Sequence, residues 1–426
     1  MAISGLSRRG FLSRIGAMGV VGVSKSIFPA WMPRLAFNAQ QGTPSGDVLV
    51  AIFLRGGIDG LSAVVPFGEG ANYYDKRPTT AVPEPGSSDR AAIDLDGFFG
   101  FHPSLAALKD IYDARALGVV HATGSTDPSR SHFDAMQFME LGTPGMKTTA
   151  NGWIGRHLQA TAERNDSPFR AVGMGSMLPS SLRGGSTPLS LRSIGDFHLK
   201  GRENELEAVE KALSALYGTE SPSDMLGSQA RSVFETVDLL KAINAAGYTP
   251  ANDAVYPQDD EGFGLGLQQI AQLIKSDVGL EVATLDLGGW DTHESQGTND
   301  GFFAAHLAVI GDALSAFYAD MGNQMRNITV VTMSEFGRRV EENGSSGTDH
   351  GHGNFMLVMG GGVRGGQVYA NWPTLAPSAL NDGDLQITTD YRDVLAEVVA
   401  NRLGNPALDQ VFPNFGVTPL GLIAPR

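Results

Sequence analysis

The chain contains no cysteine. That excludes a disulfide framework and any thiolate metal site, so a metal here must be held by histidine, aspartate, glutamate or hydroxyl groups. Positive charge is scarce as well: 31 Lys and Arg stand against 46 Asp and Glu, a formal charge of −15. Residues 1–39 hold five basic side chains (Arg8, Arg9, Arg14, Lys25 and Arg34) and no acidic one, so the remainder carries −15 − 5 = −20. A body that acidic does not hold nucleic acid through non-specific phosphate contacts. Long apolar runs are also missing. The run over residues 15–23 is glycine-broken and too short for a spanning helix, so no transmembrane segment is expected in the mature protein. There is no internal repeat and no low-complexity tract.

What is present reads as a globular protein: 426 residues, 42% hydrophobic and 18% charged, enough for a large core. The 54 glycines imply many tight turns and close backbone approaches. Ser7-Arg8-Arg9-Gly10-Phe11-Leu12, followed by a mild apolar run, is similar to a twin-arginine export signal, with small residues near Ala36 to Ala39 offering a cleavage site. The expected location is therefore periplasmic or otherwise exported, with the twin-arginine translocase as a partner during export. Residues 40–47 read as a linker.

Residues 48–54 are a continuous apolar run of strand length. Helix is expected over 103–114, strand over 117–121, helix from Ser131 to Leu141, and helix over 152–162. The middle differs. Residues 176–200 look loop-like, while 203–217 and 226–246 have helical period. Strand 281–287, helix 301–320, strand 328–333, strand 355–359 and helix 391–403 complete the alternation. Alternating strands and helices predict an α/β three-layer sandwich with a mostly parallel central sheet. One domain over 40–426 is expected, with an insertion or helical cap at about 176–265. In such a sheet the site lies beyond the carboxyl ends of the strands.

Two clusters carry the chemistry. Strand 328–333 leads into Ser334-Glu335-Phe336-Gly337-Arg338-Arg339, and a glycine-rich loop then brings Asp349, His350 and His352. Strand 281–287 opens into Gly288-Gly289-Trp290-Asp291-Thr292-His293. Carboxylate and imidazole at two strand ends point to one metal site, and that pairing suits zinc, manganese or iron better than an all-oxygen calcium cage. The same residue types also cap turns. Asp59, in the glycine turn after the first strand, reads equally as a ligand or as an Asp satisfying its own turn. His293 reads as a ligand or as a partner of Glu294 or Gln296. Ser131 reads as an N-cap or as a hydroxyl nucleophile at the positive end of a helix. Thr126 is a second candidate hydroxyl. Arg55, Arg130, Arg338 and Arg339 are candidate anion clamps in an otherwise acidic body.

Six segments then carry a resemblance: Leu54-Arg-Gly-Gly-Ile-Asp59-Gly-Leu61, Arg130-Ser-His-Phe-Asp-Ala135, Gly152-Trp-Ile-Gly-Arg156, Gly289-Trp-Asp-Thr-His293, Ser334-Glu-Phe-Gly-Arg338 and Gly347-Thr-Asp-His-Gly-His352. In this order they resemble a family of twin-arginine-exported bacterial proteins within the alkaline phosphatase and sulfatase superfamily. The resemblance implies an alkaline phosphatase-like fold and one or two divalent ions (zinc, manganese or calcium). It also implies attack on phosphate or sulfate esters by a hydroxyl at a helix start. Asp59 then matches the first-strand carboxylate, Ser131 the nucleophile, and Asp291 and His293 a metal-binding pair. Arg130 would neutralise the anion. Glu335 and Phe336 stand where many members have Asp and His, with His350 or His352 as the late histidine; the rival alignment makes Asp349 and His350 the pair. Phe336 removes a ligand, and Thr126-Asp-Pro-Ser-Arg130 echoes the sulfatase signature with a threonine that cannot become formylglycine. Two functions follow as expectations. One is an exported metal-dependent hydrolase acting on an anionic ester. The other is a non-catalytic member that binds a metal or a small anion in an envelope assembly.

Overall fold

In the computed structural model, Val48–Leu54 forms a strand (β1) that is buried at all seven positions. Its side chains alternate between two cores, as a strand covered on both faces requires. Val48, Val50, Ile52 and Leu54 enter one core; Leu49, Ala51 and Phe53 enter the other. The structure describes residues 47–161, 165, 167–184, 188–195, 211 and 225–426. The export-signal reading and, residue 211 apart, the helix expected over 203–217 lie outside the described residues.

Among the described residues the further strands are β2 (Val64–Val65), β3 (Ile93–Asp94), β4 (Gly100–Phe101), β5 (Leu117–Gly124), β6 (Ala171–Met174), β7 (Leu189–Leu191), β8 (Val282–Leu287), β9 (Ile328–Met333), β10 (Asn354–Gly360), β11 (Val368–Tyr369) and β12 (Thr389–Asp390). The central sheet has the order β11-β5-β10-β9-β1-β8-β6-β7, with β12 also beside β5, while β2, β4 and β3 form a small separate sheet. β8 and β9 flank β1 in parallel, and β6 and β7 continue the parallel side. Among the described strands of the central sheet, β10 alone runs antiparallel to both its neighbours, β9 and β5.

The principal helices are α1 (His132–Leu141), α2 (Trp153–Ala160), α3 (Met225–Ala246), α4 (Phe263–Lys275), α5 (Phe302–Met321) and α6 (Tyr391–Asn401). Leu267 and Ile270 of α4 and Leu307 and Ile310 of α5 fill the first core. Met139 of α1, Ile154 and Leu158 of α2, and Val394 and Val398 of α6 fill the second. Helices on both faces of one mostly parallel sheet are the three-layer α/β architecture expected from the sequence. The stretch 176–265 holds α3, whose Leu240 and Ile243 join the first core, and also β7, an edge strand of the central sheet. The helix expected over 103–114 is split into a 3-10 segment, Pro103–Leu108, and an α-helical one, Lys109–Asp113, with Leu105 at non-helical φ −96°, ψ 16°.

The direction of β10 positions the site. β1, β5, β8 and β9 deliver their carboxyl ends to one edge of the sheet. Because β10 returns antiparallel to β9, the connection over residues 334–353 leaves and re-enters the sheet at that same edge. Every segment expected to carry chemistry therefore borders one place.

Candidate metal centre

The turn after β1 needs glycine: Gly56 has φ +119°, and a Cβ on Gly57 would stand 2.6 Å from the Phe336 ring. A Cβ on Gly56 would stand 2.8 Å from the backbone nitrogen of Asp291, so the loops after β1 and β8 touch. Arg338 locks them together. Its guanidinium is fully buried and donates to the carbonyls of Gly57 (2.5 Å), Thr348 (2.8 Å), Trp290 (2.9 Å) and Gly56, and to Asp291 Oδ1 at 2.8 Å. The fork of donors on one planar group lets it bind three loops at once. Arg338 thus clamps the protein itself, not an anion.

Three imidazoles surround the Oδ1 atom of Asp291. His293 Nε2 and His350 Nε2 each lie 3.0 Å from it and His132 Nε2 3.3 Å, and the two nitrogens of His293 and His350 are 2.9 Å apart. The opposite nitrogen of each ring is held from behind. His132 Nδ1 meets Glu335 Oε1 at 2.7 Å, His293 Nδ1 meets Asp349 Oδ1 at 2.8 Å, and His350 Nδ1 meets the Arg130 carbonyl at 2.9 Å. Carboxylates and carbonyls only accept, so each Nδ1 carries the proton and each neutral ring presents an Nε2 lone pair inward. Arg338 offsets the charge of the carboxylate oxygen, but the three imidazole lone pairs that face it repel one another unless a cation stands among them. His132 Nε2 is buried and makes no hydrogen bond. His132, Asp291 and His350 offer donor atoms mutually within 4.8 Å. Donors bound tetrahedrally to zinc at about 2.0–2.1 Å stand about 3.3 Å apart, close to the 3.0–3.3 Å found around Asp291. Acceptors behind each imidazole are the support that metal-binding histidines require. The residues present therefore fit a divalent ion.

The electrostatics agree. Burial alone would raise the Asp291 pKa, but the hydrogen bond from Arg338 holds its carboxyl well below the usual range. The hydrogen bond to Glu335 raises His132, and burial lowers His350. Asn343 and His293 hold Asp349 down. Phe336 packs its ring 4.9 Å from His132 and 4.8 Å from His350, an apolar wall in the place expected of a ligand. His132 and His350 are mostly covered, while Asp291 and His293 face solvent.

Of the ligands expected from the sequence, Asp291, His293 and His350 converge. Glu335 and Asp349 stand one shell out, each behind a histidine. Asp59 is elsewhere: it is completely buried and accepts from Arg77 Nη1 at 2.6 Å, Arg77 Nη2 at 3.1 Å, Ser62 Oγ at 2.7 Å and Gln296 Nε2 at 2.7 Å. Both its oxygens are taken, so it is an ion-pair partner. His352 also stands apart, with Nε2 3.6 Å from the buried Asp384. Ser131 is the N-cap of α1, exposed, with no side-chain capping bond; Thr126 is exposed too. Arg130 pairs with Asp384, Arg339 with the same carboxylate, and Arg55 with Asp286 and Glu140. The residue that sequence reasoning passed over as a ligand is His132. The available signal was its place as the first residue of a helix that follows a strand end.

No curated protein matches the chain. Among the solved structures that resemble it distantly are the following three. The lipoteichoic acid synthase LtaP from Listeria monocytogenes is 9% identical, with 86% of this chain and 80% of that one covered and a TM-score of 0.35. A protein in the alkaline phosphatase superfamily from Vibrio parahaemolyticus is 9% identical over 84% of this chain and 72% of that one, at 0.36. The PsFucS1 sulfatase from Pseudoalteromonas sp. is 12% identical over 90% of this chain and 73% of that one, at 0.37. Likeness at this level carries no activity across, and the site is read from its own geometry. Residues 47–402 match the family described as "Protein of unknown function (DUF1501)", and the chain belongs to that family.

Proposed function

We propose that this chain is an exported metal-dependent hydrolase of phosphate or sulfate esters, with a divalent ion held by His132, Asp291 and His350 and with His293 beside them. The observation behind this reading is the inward convergence of three Nε2 lone pairs on Asp291, each ring anchored at Nδ1. Bound there, a divalent ion supplies Lewis acidity toward an ester oxygen. The chain's own residues do the rest. Glu335, Asp349 and the Arg130 carbonyl fix the imidazole tautomers, and Phe336 keeps water from one side. Ser131 precedes His132 in the chain, at the start of α1, where the helix dipole favours an anion. Its hydroxyl is not spent on capping, which supports the nucleophile reading.

One observation favours binding without catalysis, in an envelope assembly. Arg55, Arg130, Arg338 and Arg339 each pair with a carboxylate of the chain itself, so none of these four is left free for an anionic substrate.

Chelator-treated protein titrated with zinc, manganese and calcium should show a site that is lost in His132→Ala and in His350→Ala. Against a panel of phosphate and sulfate esters, Ser131→Ala should abolish turnover at unchanged metal content, with stability altered by no more than about 0.5 kcal/mol. A wild-type protein that binds none of these ions would overturn the metal centre. Binding without turnover of any ester would shift the conclusion to the non-catalytic role.

A further inference from the structure

Asp384 lies between β11 and β12, far in sequence from every candidate ligand, and its side chain is fully buried. Three groups meet its carboxylate: Arg130 Nη2 in a short ion pair, Arg339 Nε at 3.5 Å and His352 Nε2 at 3.6 Å. Each belongs to a segment that also carries part of the metal centre. Arg130 stands two residues before His132, and its carbonyl accepts the Nδ1–H of His350. Arg339 follows Arg338, and its amide donates to the carbonyl of Asp349 at 2.9 Å. His352 stands two residues after His350. The backbones of Arg339 and Asp384 are also bridged. A buried carboxylate is costly unless it is paired, and Asp384 Oδ1 makes no hydrogen bond. The side chain is therefore held by the charges of two loops, not by a turn of its own.

We infer that Asp384 is a positioning residue: its carboxylate ties the segment that carries His132 to the segment that carries His350, and so sets their separation. The inference rests on the metal centre proposed above. Asp384→Asn keeps the shape and removes the charge. A partner hydrogen-bonded directly to a metal ligand typically sets metal affinity by about 10–100-fold; Asp384 stands one contact further out, so the lower end, about tenfold, is expected. In full-length protein, zinc affinity measured by competition with a chromogenic chelator should fall by that factor. The comparison variant is Asp59→Asn, which removes an equally buried, arginine-paired carboxylate and should lose stability while keeping zinc affinity. If Asp384→Asn behaves like Asp59→Asn, losing stability but binding zinc as the wild type does, the positioning role is refuted. Should Asp384→Asn fail to fold, Arg130→Gln breaks the same contact from a side chain that is 34% exposed, and unchanged zinc affinity there refutes it equally. Wild-type protein that binds no zinc removes the metal centre and this role together. That outcome is distinct from a wild type that binds alongside an unimpaired variant.

Discussion

Replacing Asp59 with asparagine takes one negative charge from a place that solvent does not reach. Asp59 and Arg77 both have fully buried side chains. Burial alone would raise the Asp59 pKa, but Arg77 holds it below the ordinary value. With asparagine, Arg77 keeps only neutral acceptors: the carbonyls of Val340 and Arg339, each at 2.8 Å, and Ser62 Oγ at 3.0 Å. The new amide must also turn its NH2 toward one of the donors that Asp59 now accepts from. Breaking a buried pair from one side costs about 3–5 kcal/mol, because the remaining charge is left uncompensated. That is a large share of the roughly 5–15 kcal/mol that holds an ordinary domain folded. Urea unfolding should show the loss as a lower midpoint at unchanged slope, while the zinc content of the folded protein stays at the wild-type level. A loss below about 1 kcal/mol would contradict the buried-pair argument. Zinc lost from a variant whose stability is intact would restore Asp59 as a ligand.

Two further outcomes are expected. Burial pushes the His121 pKa down to about 4; its Nε2 lies 3.0 Å from the Val64 carbonyl. The unfolded chain, with a histidine pKa near 6.5, takes up this proton first as pH falls, so stability is lost below about pH 6.5 and the loss saturates near pH 4. Between pH 7.5 and pH 5 this one group should remove about 2 kcal/mol. Urea unfolding of the wild type and His121→Gln across that range tests it, and an identical slope in both would refute it. The Ser7–Leu12 segment predicts that Arg8 and Arg9, replaced together by lysine, leave precursor in the cytoplasm on cell fractionation; normal export of that variant would end the twin-arginine reading.

The strands were the most legible part of the sequence. Residues 48–54 are apolar throughout, residues 328–333 are apolar but for two threonines, and each run is followed by polar or glycine residues, so both bounds match. Direction is not written in an apolar run. Nothing in residues 354–360 distinguishes a parallel strand from an antiparallel one, because that depends on which partners β10 meets. The consequence reaches the site, since only an antiparallel β10 brings Asp349 and His350 back over the strand ends. The carboxylates show a second limit. Asp59, Asp291 and Glu335 all follow strands within glycine-containing segments, and sequence reasoning treats them alike. Their roles diverge through partners far away in the chain. Arg77 claims Asp59, His132 claims Glu335 across 203 residues, and Asp291 shares one oxygen between Arg338 and three imidazoles. His132 was hidden for the same reason. Beside Ser131 it reads as a neighbour of the interesting residue, and only its distance from Asp291 makes it a ligand. A residue's chemistry at a strand end was thus readable from type and spacing, whereas its role depended on a counter-charge brought from another loop.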